Sequence, residues 1–168
     1  MNDFGSIVAL IAALAIVVLL IQFQRMDRDW SMALMYFRRL DGELREWLDT
    51  AGKVFTLVPE YAPMAEQYSS MLEEYDSIGR RREYRKVSVA NKAFLFVRDR
   101  LLDAYGQEAV KTLCGDLEEK NADFSYMVDE YNNYASKLSY SYEKRLGPVV
   151  RRVFRMKNLD SLESFSLF

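Results

Sequence analysis

Histidine is absent from this chain of 168 residues. That excludes a Ser-His or Cys-His nucleophile pair, a histidine metal ligand and an imidazole proton shuttle. It also excludes the Glu-x-x-His pair of a di-iron helical bundle. A single cysteine, Cys114, rules out an internal disulfide, so the chain fits a reducing compartment without requiring one. Seven glycines, at positions 5, 42, 52, 79, 106, 115 and 147, are too scattered for a phosphate-cradling loop. With only three prolines besides, the chain favours long helices over many short strands. A net charge of −2 names no partner.

What is present begins with an unbroken apolar run from Ile7 to Ile21, extended by Phe4 and Phe23. About 20 residues of helix at 1.5 Å each cross a hydrocarbon core of about 30 Å. No face of the run is polar, which argues against a buried soluble helix. A cleaved signal peptide needs a basic leading segment and a small-x-small site; the first six residues carry only Asp3, and Gln22, Phe23, Gln24 and Arg25 follow the run. The expected lipid-facing segment is therefore residues 4–23. Arg25, Arg28, Arg38 and Arg39 follow it and no basic residue precedes it. The bias predicts an outer N-terminus and a cytoplasmic C-terminal side. Three regions result: an anchor at 1–24, a helical bundle at 25–147, and a short amphipathic helix with a tail at 148–168.

Beyond the anchor, apolar residues recur at alternating four-three spacing: Met26, Trp30, Ala33, Phe37, Leu40, Leu44, Trp47, Ala51, Val54 and Val58. A 3.5-residue period marks a helix packed lengthwise on partners. Between these positions lie Arg38, Arg39, Asp41, Glu43, Arg45 and Glu46, expected to form a solvated face. Pro59 and Pro63 end this rod and seed the next. The second rod carries Met64, Tyr68, Met71, Tyr75 and Ile78, then Val87, Ala90, Phe94, Val97, Leu101 and Ala104. At about 100° per residue, the step from Ile78 to Val87 puts the second stripe on nearly the opposite side. The rod therefore bends, changes partners or breaks near Gly79, within the basic stretch at 79–86. Gly106 is read as a helix C-cap. The third rod carries Val110, Leu113, Leu117, Phe124, Met127, Tyr131, Tyr134 and Leu138, with Asn121 and Val128 widening its face, and Gly147-Pro148 stops it. The rods at 24–58, 60–105 and 107–146 would be roughly 50, 70 and 60 Å long. These lengths favour an all-α fold in which the transmembrane helix is followed by an antiparallel bundle of three long helices with a hinge. A four-helix bundle, with the second rod split, stays open.

A short fourth element follows Pro148. Val149, Val150, Val153 and Phe154 share one face; Arg151, Arg152 and Arg155 share the other. Lys144, Arg145 and Lys157 make six basic residues in fourteen, with no acid. Arg151, Arg152, Arg155 and Lys157 are thus candidate contacts for a partner or a membrane surface. The plainer reading is a helix that closes the bundle. With three rods it would dock at the end far from the anchor, near Val54, Leu57 and Val58.

Residues 124–134, FSYMVDEYNNY, resemble the signature helix of the LemA family, where two Tyr-Asn pairs seven residues apart flank a valine. Tyr131-Asn132 matches the second pair and Val128 the valine, whereas Phe124-Ser125 stands in place of the first. The stretch from Ala90 to Leu101, Val58-Pro59, and Pro148 with VFRMK and an aromatic tail are also similar. The resemblance implies an N-terminal anchor, an outward N-terminus and a helical bundle without established catalytic activity. Tyr131 and Asn132 are read as structural.

The expected function is that of a membrane-anchored, non-enzymatic scaffold or adaptor holding an unnamed protein partner at the cytoplasmic face. The alternative is an outward-facing tether whose heptads pair with other chains, as a homo-oligomer. No cofactor is expected. The carboxylates at Glu73, Glu74, Asp116, Glu118 and Glu119 read as a solvated face rather than a catalytic pair. Nucleic acid is not an expected partner, because the rest of the domain is not basic.

Overall fold

A computed structural model describes residues 2–79 and 82–162. Arg80 and Arg81 of the basic stretch, and the tail from Glu163 to Phe168, lie outside the described residues. Helix α1 (Asn2–Ala51) has 50 residues, about 75 Å of unbroken helix. No proline interrupts it, and it passes from the apolar run into the heptad region without a joint at residue 24. Its most apolar stretch of 18 residues has a mean hydropathy of 3.0, and none of that stretch is buried. Among the described helices, α1 is the one long and apolar enough to cross a membrane.

At Gly52 the chain breaks stride and re-forms as α2 (Val54–Leu57) and a 3-10 turn, Pro59–Met64. Gly52 is there for space: a Cβ would sit 2.7 Å from Tyr68 Cε1. Tyr68 lies across it and donates its hydroxyl to the Leu48 carbonyl. Next come α3 (Ala65–Ser77), α4 (Glu83–Ala104), α5 (Glu108–Glu143) and α6 (Gly147–Phe154). The second rod is thus two helices. Ile78 takes an extended conformation after α3, and α4 restarts at Glu83. A continuous helix would have turned one of its two stripes outward. Breaking it buries both, with Tyr68, Tyr75 and Ile78 on one side and Val87 through Ala104 on the other. That burial outweighs the helix propensity of the intervening Arg, Glu and Lys residues.

The heptad seam of α1, continued through α2 to Val58, is the core. Met26, Ala33, Phe37, Leu40, Leu44, Trp47, Ala51, Val54 and Val58 are all buried, with Trp30 half-buried. Trp47 meets Phe94 of α4 edge-on at 4.1 Å and donates Nε1 to the Leu117 carbonyl of α5 at 3.3 Å. Phe37 meets Tyr131, and Met26 clusters with Leu138 and Tyr142. These pairings make α5 antiparallel to α1. Tyr68 beside Leu48 and Tyr75 beside Asp41 make α3 antiparallel too. Lys86 beside Asp41 and Phe94 beside Trp47 make α4 parallel. The order is up-down-up-down, the four-helix alternative.

Two residues assigned to a solvated face, Asp41 and Arg45, are only part-exposed and bridge to the neighbouring helices. Asp41 Oδ1 binds Lys86 Nζ at 2.6 Å and accepts from the Tyr75 hydroxyl at 2.8 Å. Arg45 pairs with Asp49 on its own helix and with Asp76 of α3 at 2.9 Å. The α3–α4 hairpin covers the flank of α1 beside the seam, so polar groups there must find partners. Gly106 forms no left-handed cap: α4 ends on Tyr105 in right-handed geometry, and no glycine among the described residues has positive φ.

Candidate functional site

The α3–α4 hairpin reaches down α1 only to about Asp41. Below it, α1 and α5 would be left as a bare pair, with Tyr36 stacked on Tyr134 at 5.9 Å along one side. The C-terminal segment fills the other side. Its first part is α6, which starts with Gly147 pressed onto the end of α5. A Cβ at Gly147 would lie 2.1 Å from the Ser141 carbonyl oxygen, so only glycine permits this approach. Pro148 then sits in the first turn, where its missing N–H costs nothing.

Helix α6 does not cover the far end of the bundle. Val150 is fully buried against Met26, Leu138 and Tyr142, and Phe154 stacks on Phe23 at 3.9 Å. Leu19, inside the apolar run of α1, packs against the same cluster. Of the expected docking point, Val54 and Val58 are instead covered by the turn after α2 and by α4 and α5, and Leu57 stays exposed. The cause is the broken second rod. With four helices the last one returns toward the apolar half of α1, and α6 is delivered there.

The chain leaves α6 through Arg155, whose φ of 52° makes it the one non-glycine in left-handed conformation among the described residues. The Met156 amide closes the turn onto the Arg151 carbonyl at 3.1 Å. Residues 156–162 then climb beside α1 and α5. Lys157 contributes its carbonyl, which accepts from Tyr142 at 2.9 Å. Asn132 fixes the other end: its Nδ2 donates to the Leu162 carbonyl at 2.9 Å, and its Oδ1 accepts from the Leu162 amide at 2.8 Å. Asn132 acts here as a two-point clasp, and Leu162 is buried beneath it.

Between this segment and α1 lies a groove of about 820 Å³. Phe23, Trp30, Phe37, Phe154 and Leu159 supply its apolar lining, charged residues such as Asp27, Arg38 and Glu83 line the rest, and Asp41 lies at its upper end. A smaller hollow of about 350 Å³ lies against Tyr142, Pro148, Arg151, Arg152, Arg155 and Met156. Burial raises the Tyr142 phenol above its ordinary pKa, and the Arg151 guanidinium over its ring, at 5.1 Å, opposes that.

The structure therefore gathers Arg151, Arg152 and Arg155 at one end of the bundle, all exposed. Lys157 is exposed just beyond them. Val128 and Tyr131 are buried in the seam, and burial pushes the Tyr131 phenol up. Asn121 Oδ1 is buried without a hydrogen-bond partner among the described residues. No cluster of acidic, cysteine or histidine side chains suited to a metal ion occurs among the described residues. Two features escaped the sequence reading. The family resemblance singled out Asn132 as structural, but nothing in the spacing gave its partner, the Leu162 main chain. The Asp41–Lys86 pair did leave a signal, because a tyrosine on the seam at Tyr75 must find an acceptor for its hydroxyl. Comparison with known proteins finds no matching family model, no matching curated protein and no matching solved structure.

Proposed function

We propose that this chain is a membrane-anchored, non-enzymatic adaptor of the LemA type, its bundle held at the cytoplasmic face of the bilayer. The observation that carries the proposal is the continuity of α1. Residues 7–21 are apolar and, apart from Leu19, exposed, and the same unbroken helix becomes the central strut of the bundle. Such a joint holds the bundle at a fixed height and angle over the bilayer, as a partner-presenting platform requires. The arginines at 25, 28, 38 and 39 supply the basic bias for a cytoplasmic bundle. The LemA reading draws support from the local roles of its matched residues, with Val128 and Tyr131 in the core and Asn132 as the clasp.

The rival reading, an outward tether assembled through heptads, needs a free seam. Here the seam is filled by α4 and α5 of the same chain. Two measurements test the proposal. A fluorescent protein fused after Phe168 should be bright and an alkaline phosphatase fused there inactive; the reverse result would overturn the orientation. Sedimentation of the full chain in detergent should give a monomer, and a concentration-independent oligomer would favour the tether.

A further inference from the structure

Helix α6 has more apolar surface than the bundle covers. At about 100° per residue, Val149, Val153, Leu146, Val150 and Phe154 follow one another around some 140° of its circumference. The bundle takes the Val150 side. Left outward are Leu146 at 38 %, Val149 at 46 % and Val153 at 64 % exposure. Continuing round the helix, Arg151 and Arg152 occupy the remaining surface, and Arg155 follows at its end. None of these arginines forms a salt bridge among the described residues; Arg151 lies over the Tyr142 ring.

The position of this uncovered face along α1 says what covers it. If α1 spans a bilayer, the span has little freedom to slide, because Asp3 precedes Phe4 and Arg25 follows Gln24. About 20 residues fill a hydrocarbon core of about 30 Å, so Phe23 lies at its boundary with the headgroups. Phe154 is stacked on Phe23, and Leu19, one turn deeper, packs against the Val150 cluster. The open apolar face is therefore continuous with the lipid-facing surface of the anchor, and the arginines lie at headgroup level.

We propose that α6 is a second membrane contact, a lateral foot that inserts Leu146, Val149 and Val153 beside the anchor. Arg151, Arg152 and Arg155 gather acidic phospholipid headgroups around it. The proposal rests on the anchored reading of α1. An interfacial helix with a basic polar face has this chemistry. Each basic residue at an acidic surface strengthens association about fivefold, so three arginines act together by roughly two orders of magnitude.

The test uses the full chain in lipid nanodiscs, in a Cys114→Ala background, with one fluorescent label per variant at Val17→Cys, Val153→Cys or Leu57→Cys. Discs contain equal amounts of acidic and zwitterionic phospholipid, with a nitroxide on the acyl chain of one class or the other. The label at position 153 should be quenched at least half as strongly as that at 17. Quenching should be several-fold greater when the acidic lipid carries the nitroxide. Neutralising the arginines (Arg151→Gln, Arg152→Gln, Arg155→Asn) should bring the two nitroxide arms together while the helical circular dichroism is unchanged. If 153 is quenched no more than 57, the distal reference, while 17 is quenched, the foot is wrong and its apolar face belongs to a protein partner. Equal quenching by the two lipid classes in the parent overturns the recognition of acidic headgroups. If position 17 is itself unquenched, the anchored reading fails, and the foot with it.

Discussion

Removing Asp41 alone from the Asp41–Lys86 pair should cost more than removing both residues. Lys86 is a buried ammonium group whose side chain is 10 % exposed, while that of Asp41 is 24 % exposed. Their 2.6 Å contact is the polar fastening between α1 and the start of α4. Tyr75 adds α3, donating to the same carboxylate and placing its ring 4.8 Å from the ammonium. Asp41→Ala leaves the ammonium desolvated with only the ring face beside it. Breaking a buried pair from one side costs about 3–5 kcal/mol, and the partial exposure of Asp41 points to the lower end, about 3 kcal/mol. Lys86→Met leaves the carboxylate with its tyrosine donor and some access to water, so about 1–2 kcal/mol is expected. In the double variant no charge is stranded and methionine fills the lysine's channel; the cost should again be about 2 kcal/mol. The cycle then closes with about 2–3 kcal/mol of coupling. Urea unfolding of the full chain in detergent, followed by tryptophan fluorescence, gives all four values. Coupling below about 0.5 kcal/mol would mean the two side chains are solvated independently, and the reasoning would fail.

Three further outcomes follow from the same packing. Trp47→Ala should cost about 3–5 kcal/mol and the bridging, part-exposed Arg45→Ala under about 1 kcal/mol; equal urea midpoints would refute the burial of the α1 seam. Tyr68, Tyr75 and Tyr131 all have phenols raised mainly by burial. Their neutral forms stabilise the fold fully below the unfolded pKa of about 10, and that stability is lost as pH climbs toward the raised folded values. Each should add about 1.4 kcal/mol of loss per pH unit above about pH 10, and Tyr75→Phe should make the measured slope shallower by that amount. Gly147→Ala should push α6 off the end of α5. Trypsin should then cut at Arg151 and Arg152 several times faster while the main unfolding transition barely moves; an unchanged cleavage rate would refute the close approach.

The core was legible because its residues repeat. Every seam position from Met26 to Val58 read from the 3.5-residue spacing is buried, save the half-buried Trp30. The apolar span was legible for an equally simple reason, a run with no polar face. The polar residues just off the seam were harder. Asp41 and Arg45 look the same in sequence as the exposed Arg39 and Glu46, and only the placement of α3 and α4 separates them. A single stripe predicts one contact surface, but a four-helix bundle also uses the flank beside it. The clasp at Asn132 is further from reach, since its partner is thirty residues away and main chain on both bonds.

The position of α6 turns on one local event far from it in sequence. Chain direction alternates with each long helix, so the parity of the helix count decides which end of the bundle receives whatever follows the last one. Comparing rod lengths favoured a second rod that only hinges near Gly79, because its halves are short beside α5. The structure accepts that mismatch: α3 has 13 residues and α4 has 22 against 36 in α5. Half a turn of stripe rotation between Ile78 and Val87 is what forces it, since no straight helix could bury both stripes against α1 and α5. The short helices then leave the lower part of α1 and α5 uncovered. The even count brings α6 and residues 156–162 to that gap. The same break thus creates the groove, supplies the segment that partly fills it, and sets a basic helix beside the emerging apolar half of α1.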